Sequence, residues 1–118
     1  PAALLAVAIY CHRARKYLGA YLAVLGGADA ILFGGGVGEN APFVREKILT
    51  DMEWAGIELD AARNAAAVGN EACVNSASSR IAAWVIPVDE ATVLAQEAVT
   101  LLPATGRARR LLNRSRNT

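Results

Sequence analysis

Aromatic side chains are scarce in this 118-residue sequence, at 6%. That argues against base stacking as its main activity, because binders of single-stranded nucleic acid depend on it. There is a single histidine, His12, and there are two cysteines, Cys11 and Cys73, far apart and in no C-x-x-C pair. Such a set lacks zinc-ligand spacing. The two cysteines are expected to be reduced, semi-buried thiols of a cytoplasmic protein. No run reaches the roughly 18 apolar residues of a membrane span. The apolar start, Ala2–Ile9, has no basic residue before it and no cleavage signature after it, so no secretory leader is expected. Internal repeats, a G-x-S-x-G nucleophile elbow and the Gly-Lys-Ser/Thr of a Walker A loop are all missing. The chain begins at Pro1 and reads as a processed product or a piece of something longer.

Apolar residues are plentiful. Hydrophobic side chains make up 54% of the sequence, mostly Ala, Val, Leu and Ile, enough for a buried core and too many for a disordered chain. The formal net charge of +1 hides an uneven distribution. Acidic residues outnumber basic ones up to Leu102, whereas the last sixteen residues hold five arginines and no acid. The expected organisation is one body over residues 1–102 and a basic, mostly disordered tail over 103–118, with at most a helical turn at Leu111-Leu112. Nucleic-acid binding through the tail is not the favoured reading, since the body is acidic and has no groove-reading motif.

Hydrophobic periodicity predicts a long helix over Ala2–Leu25, with Leu4, Leu5, Ile9, Leu18, Tyr21, Leu22 and Leu25 at helical spacings and Gly26-Gly27 as its stop. It is too apolar for a surface helix, so it is expected to be central to a core or to face a partner. Ala28–Phe33 predicts a buried, parallel strand. A helix is expected from Asn40 or Ala41, with Pro42 in its first turn. Its apolar face would be Phe43, Val44, Ile48, Leu49 and Met52, with Arg45, Glu46 and Lys47 facing water. Ala61–Gly69 reads as weakly helical, Glu71–Ser76 as a short strand, and Arg80–Val88 as a second clear strand. Asp89 then caps a helix over Glu90–Leu102. This alternation is an α/β pattern. Its two or three strands make a thin sheet, so further strands are expected elsewhere in the same domain.

The stretch Ala28–Val44, ADAILFGGGVGENAPFV, organises the rest. A short apolar run ends in Gly34, Gly35, Gly36 and Gly38, followed by Glu39 and Asn40. Strand, glycine turn and helix start expose bare backbone and free N–H groups to a ligand, which suits an anion or the polar edge of a nucleotide. The competing explanation is a strand-to-helix turn that needs glycine only for close packing. The dinucleotide fingerprint fits poorly: Gly34 and Gly36 match, but the third position is Glu39, and no acidic strand end follows at the required distance.

Tyr10–Asn40 closely resembles the later part of the acetate and propionate kinases. That family carries Y-R-x-x-K-Y-I-G-A-Y, then L-G-G-x-D-A, then F-T-x-G-I-G-E-N. The corresponding pieces here are Arg13 through Lys16-Tyr17-Leu18-Gly19-Ala20-Tyr21, Leu25-Gly26-Gly27-Ala28-Asp29-Ala30, and Phe33 to Asn40. The likeness continues through Val44–Lys47, Gly56–Asp60 and Val85–Glu90. Gly34 stands where the family usually has Thr or Ser, His12 where an aromatic residue is common, and Ala91 where a second acid follows.

The resemblance implies the end of the second lobe of an actin/sugar-kinase-like, ribonuclease H-like fold. It implies phosphoryl transfer from ATP to acetate, giving acetyl phosphate and ADP. Gly36, Val37, Gly38, Glu39 and Asn40 would lie at the adenosine end of ATP or ADP, Val44 would help wall the adenine, and Glu90 would be a Mg2+-site carboxylate. It also implies a short-chain carboxylate as the second substrate, a homodimer, and an upstream lobe holding the phosphoryl clamp and the acetate pocket. The chain alone is then expected to have no turnover. A non-catalytic nucleotide-binding or dimerisation module is the alternative.

Overall fold

A computed structural model describes residues 1–101. It divides into two units, Pro1–Val88 and one beginning at Asp89. The expected tail, residues 103–118, lies outside the described residues.

The first unit opens with helix α1, Ala2–Leu25. Gly26 ends it in the left-handed conformation at φ 74, and Gly27 N–H returns to Leu22 O at 2.9 Å. This is the glycine stop that the sequence predicts. Its core stripe, however, is Cys11 with the half-buried Val7, Ala14, Leu18 and Leu22. Leu4, Leu5, Ile9, Tyr21 and Leu25, expected on the apolar stripe, are exposed, and so are Tyr10, Tyr17 and Val24. An all-round apolar helix carries more than one apolar face, and periodicity alone does not say which one this chain buries.

Strand β1 is Ala30–Phe33. Helices α2, Gly35–Asn40, and α3, Pro42–Leu49, follow with only Ala41 between them. A 3-10 turn over Glu53–Ala55 leads to helix α4, Ala61–Ala66, and to strands β2, Ala72–Cys73, and β3, Ala82–Val85. The sheet order is β1-β3-β2, with β3 parallel to β1 and antiparallel to β2. Phe33 lies opposite Val85 and Ile31 opposite Ala83. These four point to one face, against a core of Ile48, Leu49, Met52, Ile57, Val74 and Ile81. The parallel pairing agrees with the sequence reading. Burial on both faces does not: Leu32, one pleat over, is 65% exposed. A continuous apolar strand gives no signal of which neighbour lies on each side.

Two corrections concern the segment after β1. The glycine stretch is not an open turn before a helix at Asn40. Gly34 is the N-cap of the six-residue helix α2, which contains Gly35, Gly36 and Gly38. Glycine costs up to about 1 kcal/mol per helical position, so no propensity argument predicts helix here. Side chains supply the missing order, as described below. In α3, Pro42 occupies the first turn as expected. Yet Arg45, expected to face water, is completely buried, and Phe43 is 52% exposed under the Lys47 ammonium at 5.1 Å.

Helix α4 is capped by Asp60, whose Oδ1 accepts the Arg63 N–H at 2.9 Å. An N-cap carboxylate of this kind is worth about 1 kcal/mol. Asp60→Ala is therefore expected to lower unfolding free energy by about that amount in urea titration, whereas Asp60→Asn should lose far less.

The second unit contains helix α5, Glu90–Leu101. Asp89 accepts hydrogen bonds from the Thr92 N–H, at 3.0 Å, and from the Thr92 hydroxyl. These bonds hold the Asp89 carboxyl below the ordinary aspartate pKa. A lowered folded-state value means that the cap contributes fully above the ordinary aspartate range and is lost as pH falls through that lower value. Thr92→Val is expected to raise the Asp89 midpoint toward the ordinary value in a carboxyl-carbon NMR titration. An unmoved midpoint would show that the hydroxyl does not hold the carboxylate.

Candidate functional site

The four glycines of the 34–38 stretch have different physical reasons to be glycine. A Cβ on Gly34 would lie 3.2 Å from the Val88 side chain. Gly35 has φ 74, a left-handed conformation that side chains disfavour. A Cβ on Gly38 would come within 3.3 Å of the Phe33 backbone, so the missing atom lets α2 pack closely onto the end of β1. These three belong to the close-packing explanation. Gly36 does not: it is exposed, its φ is ordinary, and a Cβ there would meet nothing within 4 Å. The open space over Gly36 is the one place in the stretch where packing does not explain the glycine.

Val37 and Asn40 flank that space. Val37 is 48% exposed. The Asn40 side chain donates from Nδ2 to Gly36 O at 3.0 Å. Its Oδ1 lies 3.2 Å from where a Gly69 Cβ would stand, so Gly69, at φ 67, leaves room for the amide. Glu39 has other work. Its Oε1 accepts the Gly35 N–H at 2.9 Å and the Val88 N–H at 2.8 Å. The first N–H of α2 is thus met by a carboxylate of the same helix and is not open to an anion from outside. The second bond ties the helix to the chain just beyond β3. Val44 is half-buried and packs against the core.

Gly36, Val37, Gly38, Glu39 and Asn40 are therefore brought together on α2, with Val44 one helix further on. Glu90 belongs to the second unit, where it is exposed in the first turn of α5. Among the described residues, no group of three or more His, Cys, Asp or Glu side chains is placed to hold a metal. Mg2+ asks for less, since it often takes one or two carboxylates and fills its other positions with water and phosphate oxygens. Glu90 fits as such a single ligand, while Asp89 beside it is committed to Thr92.

Sequence reasoning missed three supporting residues. The Arg45 guanidinium donates to Gly38 O at 2.7 Å, to Asn64 Oδ1 and Asn64 O at 2.8 Å each, and to Ala67 O at 2.6 Å. Asn64 Nδ2 donates to Pro42 O at 2.9 Å. Gly69 N–H donates to Glu39 O at 3.0 Å. Burial lowers the Arg45 pKa from its ordinary value. A signal for Arg45 was available: it shares one helical stripe with Ile48 and Leu49, both buried. Nothing in the sequence pattern marks Asn64 or Gly69.

An open groove of about 540 Å³ lies elsewhere, along α1, lined by Ala6, Ile9, Tyr10, Arg13, Ala14 and Tyr17. It includes no residue of α2. Among the described residues, no helix is long and apolar enough to cross a membrane.

Comparison with known proteins gives the family. The acetokinase family profile matches residues 1–96. The chain is 50% identical over 95 residues to an acetate kinase of Solibacter usitatus, covering 80% of this chain and 23% of that protein. It is 47% identical over 100 residues to one of Bacteroides thetaiotaomicron, covering 85% and 25%. Among solved structures, Porphyromonas gingivalis acetate kinase superposes with a TM-score of 0.73 at 42% identity, over 86% of this chain and 25% of that one. A propionate kinase from Francisella tularensis gives 0.68 at 33% identity, over 80% and 24%. The chain spans about a quarter of the length of these relatives. Its α/β architecture with a small mixed sheet is shared with them, and on the extent of the match the chain belongs to the acetokinase family.

Proposed function

We propose that this chain is the adenosine-side portion of a cytoplasmic short-chain carboxylate kinase, which transfers the terminal phosphoryl group of ATP to acetate and yields acetyl phosphate and ADP. In this reading it forms the end of the second lobe of an actin/sugar-kinase-like, ribonuclease H-like fold. The observation that carries the reading is the open, unpacked space over Gly36 between Val37 and Asn40. A sugar or base edge can lie against bare backbone there. Val37 offers an apolar contact, and the Asn40 amide offers both a donor and an acceptor. Val44, half-buried against the core, would help wall the adenine in this reading.

Glu90 would hold a Mg2+ ion, which when bound supplies charge neutralisation for the nucleotide phosphates. The protein's own task on this side is positioning. Gly36 and Asn40 would fix the adenosine, and α5 would carry the Glu90 carboxylate. Phosphoryl transfer depends mainly on such placement and on charge stabilisation. Cations to clamp the transferring group, and the acetate pocket, are assigned to an upstream lobe. Titration of Mg-ADP into the chain by calorimetry tests the reading. Saturable binding is expected, together with no acetyl phosphate from ATP and acetate. Robust turnover by these 118 residues would overturn the assignment of catalysis to the other lobe, and absence of binding would overturn the nucleotide site.

The exposed face of α1 favours one further assignment, a homodimer interface. Ile9, Tyr10, Tyr17 and Tyr21 are each more than half exposed on a helix whose other side enters the core. Apolar exposure on this scale is typical of an interaction surface. Tyr21→Glu is expected to shift the light-scattering mass from dimer to monomer without loss of helical circular dichroism. A dimer that persists in the folded variant would remove α1 from the interface.

A further inference from the structure

We infer that Arg45 is the positioning residue of the glycine helix α2, a role that rests on the nucleotide-site reading above for its functional meaning but not for its physical basis. Its guanidinium touches no part of the space over Gly36. It bonds instead to the Gly38 carbonyl, and from there reaches two carbonyls and one amide oxygen at the C-terminal end of α4. All four acceptors are neutral oxygens. Three are carbonyls in the last turns of short helices, or just after them, where partial negative charge gathers. A buried cation is costly unless every donor finds such a partner. The side chain is completely buried, so these bonds are made out of water, where they are strong and directional.

The consequence is a bolt between two segments. On one side, α2 is intrinsically poor at holding its own shape because three of its six residues are glycine. On the other, residues 64–69 supply Asn64, which also holds Pro42 O, and Gly69, which holds Glu39 O. Asn40 is the last residue of α2, and its amide lies against Gly69. Arg45 thereby sets where Asn40 and the Gly36 backbone stand, without contacting a ligand itself. Lysine keeps the charge at this position, but one ammonium cannot reach acceptors spread over Gly38, Asn64 and Ala67 as a planar fork does.

Hydrogen–deuterium exchange on the full 118-residue chain, with and without ADP, tests this. In the unmodified chain, the Ala41 amide, bonded to Val37 O, and the Gly69 amide, bonded to Glu39 O, are expected to open together with one free energy across a urea series. Separate openings would show that the two segments are not bolted, and would overturn the inference without any variant. In Arg45→Lys, exchange at these two amides is expected to rise about tenfold or more while that of the middle of α1 stays unchanged. An even rise over the whole chain would make Arg45 an ordinary core residue and overturn the positioning role. Localised loosening should also weaken ADP binding about tenfold in Arg45→Lys. ADP affinity unchanged in a variant with loosened amides would overturn the functional link. If the unmodified chain fails to bind ADP, the nucleotide reading falls, and the exchange pattern still decides the bolt.

Discussion

Arg45→Met is expected to destabilise the chain by about 3–5 kcal/mol, the largest loss anticipated from any single surface-coded residue in the sequence. The substitution removes a guanidinium that four oxygens accept from, and it restores none of those bonds. An unsatisfied buried polar group costs about 1–3 kcal/mol, and Asn64 O, which also accepts the Ala67 N–H, costs less than that. Methionine fills much of the volume and avoids the expense of burying a charge, so the sum stays below four full penalties. Urea unfolding followed by tryptophan fluorescence measures it. Arg13→Ala is the matched control: Arg13 is exposed, and a loss within about 0.5 kcal/mol is expected there. Equal effects of the two substitutions would contradict the burial that distinguishes them.

The second large effect separates stability from ligand binding. Gly36→Leu is expected to leave the fold intact, or to stabilise it by about 0.5–1 kcal/mol, because a helical glycine at ordinary φ is replaced by a good helix former in open space. The same side chain fills the surface where the adenosine is proposed to lie, so Mg-ADP affinity should fall about tenfold or more, roughly 1.4 kcal/mol or above. Gly38→Leu makes the opposite trade. Its side chain would collide with the Phe33 backbone, and the fold itself should suffer. Calorimetric ADP titration beside thermal melts of both variants checks this. Affinity retained in Gly36→Leu would remove the adenosine from the space over Gly36.

Much of the architecture was legible. Helix α1 with its glycine stop, the parallel strands β1 and β3, the proline-led α3, a helix from Ala61 and the aspartate-capped α5 follow from periodicity and end signals. What was not legible has specific causes. Helix α2 is held by Glu39, Asn40 and Arg45 against the propensity of its glycines, and tertiary bonds of that kind leave no local trace. A binary pattern codes every arginine as polar and so turns Arg45 to water, although its place on the stripe of Ile48 and Leu49 says otherwise. The exposed faces of α1 and β1 were hidden for another reason. Apolar content reports that a surface is to be covered and not by what.

The sequence singles out the glycine stretch as the candidate site. Residues 36–40 do gather on one short helix. The division of labour within it was not visible. Glu39 reads as a ligand candidate from its place in the motif, whereas its Oε1 is taken up by two backbone N–H groups. Gly34, Gly35 and Gly38 each answer a packing or conformational demand. Only coordinates separate those glycines from Gly36, because the distinction lies in what stands opposite each α-carbon.

The order β1-β3-β2 also governs how the chain acquires its sheet. The two outer strands never pair with each other, and both depend on the strand that comes last in sequence. Ala30 must wait for Ala82, and Cys73 for Trp84. During synthesis, helix α1 and the glycine segment leave the ribosome long before β3, so the edge of β1 that receives β3 stays bare through that interval. Closing so long a loop is entropically slow, and parallel pairs of this kind form late. A nascent chain halted upstream of Ala82 should therefore hold helix α1 but neither the β1-β3 nor the β2-β3 pairing.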